Sequence, residues 1–470
     1  MAKNQKHVNQ SILIPPIRKT ALALALSQAL GFSVSMGQAA TITVTTTSGE
    51  AGGSDCTLRD AITAANFDTA VGGCSAGTGE DAIILPANAT ITLTTPDNCN
   101  IAAECNGLPI VTSSITIEGN ETTLLRDSNS QKFRIFELNQ GLLTLRNTTV
   151  SGGGRIYGGT GGAIYAHHSS SVTLVDSIVS RNFGGIKAES SSVALINSRV
   201  SGNRGRDSDY YIATSGILVL NGSATLTNSR ISNNKGSGGI KAISSTVTLT
   251  NSTVSGNEGY FNSGISAFSG SITLINSTVS NNISYNSAGI SSFNNTLTLI
   301  NSTVSGNRHK YPGAVGVGGI TSAGNLVLIN STITKNRPGG IEIIASNPTE
   351  FIFKNSIIAN NLHGDCSNNT NLTPVIKNTL IGDGGINCGT SLLTGDPKLE
   401  PLRKNGGPTE THALSKDSPA IDAGDDTICT ALPKNVRNQP TDQRGRSRTG
   451  PAAGLHCDIG AYEFRRQRRK

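Results

Sequence analysis

The sequence predicts an all-β chain wound as a right-handed parallel β-helix, and three observations lead there. First, the phrase Asn-Ser-x-(Val/Ile)-Ser recurs, opening at Asn147, Asn197, Asn228, Asn251, Asn276, Asn301, Asn330 and Asn355, with a degenerate copy at Asp176. Second, two further phrases keep phase with it. A Gly-Gly-Ile-like step falls at Ile164, Ile186, Ile217, Ile240, Ile265, Ile290, Ile320 and Ile341. A Val-Thr-Leu-like step ends at Leu174, Leu195, Leu226, Leu249, Leu274, Leu299, Leu328 and Phe353. Third, aromatics are 4% of the 470 residues and tryptophan is absent, whereas glycine reaches 54. Thin layers of small side chains suit that composition better than one deep aromatic core.

Each period of 21 to 31 residues thus holds three short alternating runs separated by Gly, Asn and Ser. Alternation at period two signals strands, and the separators signal turns. Three strands in about 25 residues make one coil, which buries its apolar face only by stacking on neighbours. Leucine-rich repeats share the period, but their longer Leu-x-x-Leu-x-Leu consensus is missing. The repeating Asn is expected at a turn, tolerating a left-handed conformation and reaching the next coil's backbone. Variation in the gap then means that one loop per coil swells.

Weaker rungs lie upstream at Ile83–Leu85, Ile91–Leu93, Ile115–Ile117, Ile135–Leu138 and Leu143–Leu145. A solenoid end exposes strand edges and needs a cap. Residues 56–66 place Leu58, Ile62 and Ala65 on one helical face and supply it. The organisation expected is a signal peptide (1–39), an N-terminal cap (40–80), β-helix repeats (81–361), C-terminal rungs with an end region (362–464) and a basic tail (465–470).

The signal peptide follows from Arg18-Lys19, the apolar run Ala21–Val34, and small residues at Gly37 and Ala39. No later stretch approaches the ~20 apolar residues of a membrane span. The mature protein is therefore expected outside the cytoplasm, secreted or at the cell surface. The eight cysteines, Cys56, Cys74, Cys99, Cys105, Cys366, Cys388, Cys429 and Cys457, all follow the leader. An even count in an exported chain reads as disulfides. Nearest-neighbour pairing is the simplest of the arrangements that the sequence permits. The cysteine and histidine spacing matches no metal site, and no motif asks for a cofactor. The net charge of +7 is concentrated in four basic residues within 1–39 and five within 465–470, leaving about −2 for the body. That balance argues against a nucleic-acid partner.

The segment Cys56-Thr57-Leu58-Arg59-Asp60-Ala61 resembles the CSLREA motif of secreted bacterial β-helix proteins, with Thr57 for Ser and Asp60 for Glu. Downstream, Asp396-Pro397, Asn405–Thr409, Ser418–Gly424, Asp442–Gly445 and Asp458–Glu463 resemble the choice-of-anchor Q region that accompanies it. The resemblance implies export, a pectin-lyase-like β-helix and surface association. It implies no settled reaction.

Six of the eight tyrosines share the variable loop that precedes the isoleucine phrase. Tyr157, Tyr210, Tyr211, Tyr260, Tyr285 and Tyr311, joined by Phe261, are interleaved with Arg155, Arg204, Arg206, Arg308 and Lys310. In-phase loops stack along one edge, so these residues are expected to form an aromatic and basic stripe for polysaccharide, or for host or envelope surface glycans. Adhesion or glycan contact is the first functional reading. The alternatives are a polysaccharide lyase or glycoside hydrolase, and a purely structural exoprotein. Glycan cleavage needs paired carboxylates, or acids with a basic partner, on one face. Along the outward rows of the isoleucine strands only Tyr165, His167, Lys187 and Glu189 are polar enough, and they hold one carboxylate.

Overall fold

The computed structural model describes residues 39–470, apart from 101–103, 155–160, 206–214, 261–263, 312–316, 345–349, 386–387, 390, 392, 450–453 and 466–470. The expected leader and most of the basic tail lie outside the described residues.

One coil shows how the phrases become structure. Ile265–Ile275 is a single bent strand that carries both the isoleucine and the leucine phrase. It bends at Ser269 and Gly270, both at positive φ. Asn276, at φ 53°, turns the chain into Thr278–Ser280. Asn281, at φ 55°, turns it again into Ile283–Ser284. The loop that follows leads to Ile290 in the next coil. Pairing between coils is parallel and in register. Ile186 pairs with Ile217, which pairs with Ile240, and the row continues through Ile265, Ile290, Ile320 and Ile341. Leucine and valine rows run beside it, through Leu249–Leu274–Leu299 and Val254–Val279–Val304. Alternation sends Ile265, Ala267, Ile272, Leu274 and Val279 inward, each at most 1% exposed. The result is an all-β parallel solenoid with three lateral sheets, here named isoleucine, leucine and valine after those rows.

The repeating Asn of the Asn-Ser phrase takes the left-handed conformation in every described copy, with φ between 45° and 53°. Its expected hydrogen bond to the next coil's backbone is made instead by the serine that follows. The Ser252 amide donates to Ser277 Oγ (3.1 Å), and the Ser277 amide donates to Ser302 Oγ (3.2 Å). A second asparagine, six residues after the first, points inward and forms the true ladder. Asn182, Asn203, Asn234, Asn257, Asn282, Asn307, Asn336 and Asn361 pass one amide to the next, Nδ2 to Oδ1, at 2.9–3.0 Å. Asn282 uses its whole capacity. Its Oδ1 accepts from the amide and side chain of Asn257, and its Nδ2 donates to Val254 O and Asn307 Oδ1.

Helix α1, Leu58–Phe67, closes the first coils. Thr57 caps it by accepting from the Asp60 amide, and Leu58, Ile62 and Ala65 face the core. Arg59 is 5% exposed and ties the helix to Gly107 O, Thr95 O and Glu50. The solenoid opens before the helix, inside the stretch assigned to the N-terminal cap, because Thr41–Thr43 already pairs with residues 82–84. The cysteines form four bridges, Cys56–Cys74, Cys99–Cys105, Cys366–Cys388 and Cys429–Cys457.

Beyond the last rung the chain turns back and lies along the valine sheet. Gln443, fully buried, accepts from Thr303 Oγ1 and donates to Thr278 Oγ1 and Ser277 O. Asn301 donates to Thr441 O, Ala461 donates to Thr332 Oγ1, and Asn355 exchanges bonds with Asp425. The outward threonines Thr278, Thr303 and Thr332 are thereby buried, whereas Arg199 and Arg230 in the same row remain exposed. The C-terminal region is thus a lateral cover over four coils as well as an end cap.

The two asparagine sets should separate on mutation. Asn282→Ala orphans buried backbone and amide groups, each worth about 1–3 kcal/mol, so the denaturation midpoint should fall by an amount corresponding to about 3 kcal/mol. Asn228→Gly, an exposed left-handed turn, should change stability by less than about 1 kcal/mol. Equal effects in denaturant titrations would show that the inner ladder has no special weight.

Candidate functional site

The described starts of the variable loops stack along one edge, between the valine and isoleucine sheets. Short strands Lys235–Gly236, Glu258–Gly259, Ile283–Ser284 and Arg308–His309 pair in sequence and start that edge. Isolated pairings extend the row upstream through Arg204 to Phe183 and downstream to Arg337. Within two residues of the last three of these strands come Tyr260, Tyr285 and Tyr311. The Tyr260 and Tyr285 ring centroids lie 4.6 Å apart, and those of Tyr285 and Tyr311 lie 5.2 Å apart. Tyr260 is 43% and Tyr311 58% exposed. Lys310 Nζ sits 5.1 Å from the Tyr285 centroid and bonds Glu258 at 2.6 Å, with Lys235 on the other carboxylate oxygen at 3.8 Å. The paired ammonium groups hold Glu258 below the usual carboxylate range. Tyr157, Tyr210, Tyr211 and Phe261, with Arg155 and Arg206, lie outside the described residues.

The four polar residues singled out on the isoleucine sheet also meet. Tyr165 pairs across strands with Lys187, and its hydroxyl donates to Glu189 at 2.5 Å. Lys187 Nζ reaches Glu189 at 2.6 Å and lies 4.7 Å from the Tyr165 centroid. The His167 ring stacks on Tyr165 at 4.7 Å. Two partners escaped the sequence reading. Glu137 pairs across strands with Tyr165 and binds His167 Nε2 at 3.0 Å. Arg134, 2% exposed, bonds Glu137 at 2.5 Å and lies 4.7 Å from the Tyr165 centroid. The signal was present in the alternation of Phe136-Glu137-Leu138, but that coil lacks the Gly-Gly-Ile step.

The cluster therefore holds two carboxylates, each matched to a cation. Although burial opposes it, hydrogen bonds from His167 and Arg134 hold Glu137 below its ordinary range. Lys187 and Tyr165 do the same for Glu189. Burial and the Glu189 carboxylate push the Tyr165 phenol up, so it stays protonated. A glycosidase pair needs one carboxyl held protonated as the acid, and neither of these is. Further along the same outward row the chemistry ends, at Leu220, Ile243, Phe268 and Phe293. Among the described residues no group of three or more His, Cys, Asp or Glu is placed to hold a metal ion. None of the described helices is long and apolar enough to cross a membrane.

A family model described as the right handed beta helix region matches residues 42–240, 162–325 and 215–397. The chain belongs to the right-handed β-helix family. Membership accounts for the coil geometry and leaves the chemistry open, because one fold hosts many functions. A crystal structure of pectate lyase Pel9A aligns over 90% of this chain and 96% of its own, with 14% identity and a TM-score of 0.45. No curated protein matches the sequence.

The ion-pair network has a pH signature. Glu137 and Glu189 titrate lower in the folded chain than unfolded, so their contribution is full above the unfolded pKa and is lost as pH falls through the folded one. Glu137→Gln should lower the melting temperature at pH 7, where it leaves Arg134 unpaired. The variant and the parent should converge as pH falls below about 4. A deficit that stays constant from pH 7 to pH 3 would contradict this electrostatic account.

Proposed function

We propose that this chain is an exported, surface-associated β-helix protein that binds glycan chains along its loop edge. The observation that carries the reading is the run of Tyr260, Tyr285 and Tyr311, which come from successive coils, touch ring to ring and remain partly exposed. Rigid aromatics that keep solvent contact offer apolar surface with hydroxyls attached, the combination that sugar recognition uses. Lys310 and the Glu258 carboxylate beside the rings add charged hydrogen-bonding groups. A linear polymer running parallel to the solenoid axis would meet one tyrosine per coil, every ~4.8 Å.

Export is supported by the leader-like residues 1–39 and by four disulfides, which persist in oxidising compartments. The CSLREA-like and choice-of-anchor Q-like motifs agree with surface association. Their residues act on the fold, since Asp60 lies at the helix cap and Asp442, Gln443, Asp458 and Glu463 are buried. Retention at the surface is then assigned to exposed parts of the protein. Catalysis at Tyr165 is disfavoured by the two matched carboxylates.

A glycan array on the full chain, followed by titration of the best-bound glycan, tests the proposal. Tyr260→Ala, Tyr285→Ala and Tyr311→Ala combined should weaken that binding at least tenfold, at more than about 1 kcal/mol per ring. The melting temperature should stay within a few degrees of the parent, because exposed loop residues contribute few buried contacts. Unchanged affinity with a much lower melting temperature would make the tyrosines structural.

A further inference from the structure

Upstream on the same edge lies a groove of about 800 Å³, bordered by residues 125–128, 151–154 and 181–183 with Thr92, Lys132, Gly202 and Arg204. That volume lies in the range of small-ligand sites, ~300–1,000 Å³. Its charge is one-sided. Arg126, Lys132, Arg181 and Arg204 line it, against the single carboxylate of Asp127. Beside the tyrosines two of the edge cations, Lys235 and Lys310, share the Glu258 carboxylate. Among the described residues Lys132, Arg181 and Arg204 make no ion pair, and Arg181 and Arg204 are exposed.

Arg126 fixes the positive charge in place. Its guanidinium donates to four backbone carbonyls, Gly152 O at 2.7 Å, Asp127 O at 2.7 Å, Ser130 O at 3.0 Å and Gln131 O at 3.3 Å. Backbone dipoles hold it, and although the Asp127 carboxylate acts on it through space, no described carboxylate lies within ion-pair distance, so positive charge remains available to the groove. A concave surface lined by one sign of charge concentrates the field and draws in the opposite sign. Guanidinium groups suit planar carboxylates and sulfates because they donate two parallel hydrogen bonds. The floor is open at Gly202, where an added Cβ would meet nothing within 4 Å.

We propose that this groove is an anion-binding site for an acidic polysaccharide, one bearing uronate or sulfate groups. Arg181, Arg204 and Lys132 take the acid group, and Arg126 supplies the standing field. The inference extends the glycan reading to different residues and rests on it only for the polymer being a glycan. The pairings Phe183–Arg204–Lys235 carry the groove into the row that leads to the tyrosines. One chain lying along the axis would therefore meet cations first and rings after. The near-neutral body argues against a nucleic acid, which needs an extended basic footprint.

The experiment is titration of the full chain with oligogalacturonate, dextran sulfate, unmodified dextran and a DNA duplex, at low and at physiological salt. The acidic glycans should bind at least tenfold tighter than dextran, and more weakly as salt rises; the tighter of the two identifies the acid group. Arg181→Ser with Arg204→Ser should lower acidic-glycan affinity tenfold or more without moving the melting temperature. Gly202→Asp should do the same by adding a carboxylate. Gly202→Asn serves as the control, because Asn233 and Asn281 occupy the equivalent left-handed turn in other coils, and it should stay within threefold of the parent. Dextran bound as tightly as its sulfate, DNA preferred over both acidic glycans, no effect of the arginine pair, or equal losses in the two Gly202 variants would overturn the proposal. If the arginine variant binds normally while the tyrosine variant fails, the groove inference alone is wrong. The reverse result sinks the tyrosine reading alone.

Discussion

The buried asparagine ladder is the constraint on which the solenoid depends. Each coil must make a tight turn between the valine strand and the loop edge, and that turn leaves backbone groups facing the interior. A primary amide is the side chain that both donates and accepts at that point. It satisfies its own coil and its neighbour's at once, so the turn can be repeated but not freely lengthened. The ladder begins at Asn182, which accepts from the Gly153 amide, and ends at Asp365, which accepts from Asn361 but cannot donate onward. Its extent coincides with the cysteine-free middle of the chain. Three of the four bridges, Cys56–Cys74, Cys99–Cys105 and Cys366–Cys388, lie beyond its two ends. Crosslinks stand where the repeating hydrogen bonds stop, as expected if end coils lack a neighbour to hold them.

What was legible in the sequence follows from what repeats. Ile186, Ile240, Ile265 and Ile290 recur at a coil period, so their stacking could be read directly. The identity of the ladder residue could not. Asn276 and Asn282 both repeat, both neighbour turns, and sit six residues apart. Only the three-dimensional path of the turn makes one a left-handed corner and the other a core amide. Glu137 and Arg134 were missed for a related reason. Ile135 and Phe136 are both fully buried, so alternation loses its phase there, and the coil carries no glycine step to restore it. The return of residues 396–464 along the valine sheet was invisible because Gln443 and Thr303 meet across 140 residues without a shared repeat.

Charge is handled in opposite ways on the two surfaces beside the loop edge. On the isoleucine sheet Arg134, Glu137, Lys187 and Glu189 cancel within one half-buried cluster, and the tyrosine between them is locked by a hydrogen bond and two cations. Such a network is satisfied without a ligand, so binding there would have to replace contacts already made. In the groove Lys132, Arg181 and Arg204 have no acidic partner among the described residues, and binding an anion there adds contacts rather than replacing them. Perturbed acids and phenols mark active sites in many enzymes; here each perturbed group takes its shift from burial and from partners inside the cluster. Two of the unmatched charges, Lys132 and Arg181, lie only two and six residues from Arg134 and Lys187 in sequence.

The C-terminal return divides the solenoid along its length. It covers the valine sheet from Thr278 onward and leaves the coils of Arg199 and Arg230 bare. The motif residues that draw attention in the sequence are consumed in this cover. Arg444 binds Asp442 and Glu463 O, while Arg448 binds Glu463, Asp458 O, Gly460 O and Asn301. Burial pushes both Glu463 and Asp458 upward despite the nearby Arg448. Breaking one partner of such a buried set leaves a charge without solvent, which is costly, so these positions tolerate little change for reasons of packing alone. The loop-edge residues carry no such burden. Their tyrosines and arginines can vary in number and position from coil to coil while the ladder beneath keeps its spacing, and the ligand of the edge can change without disturbing the fold.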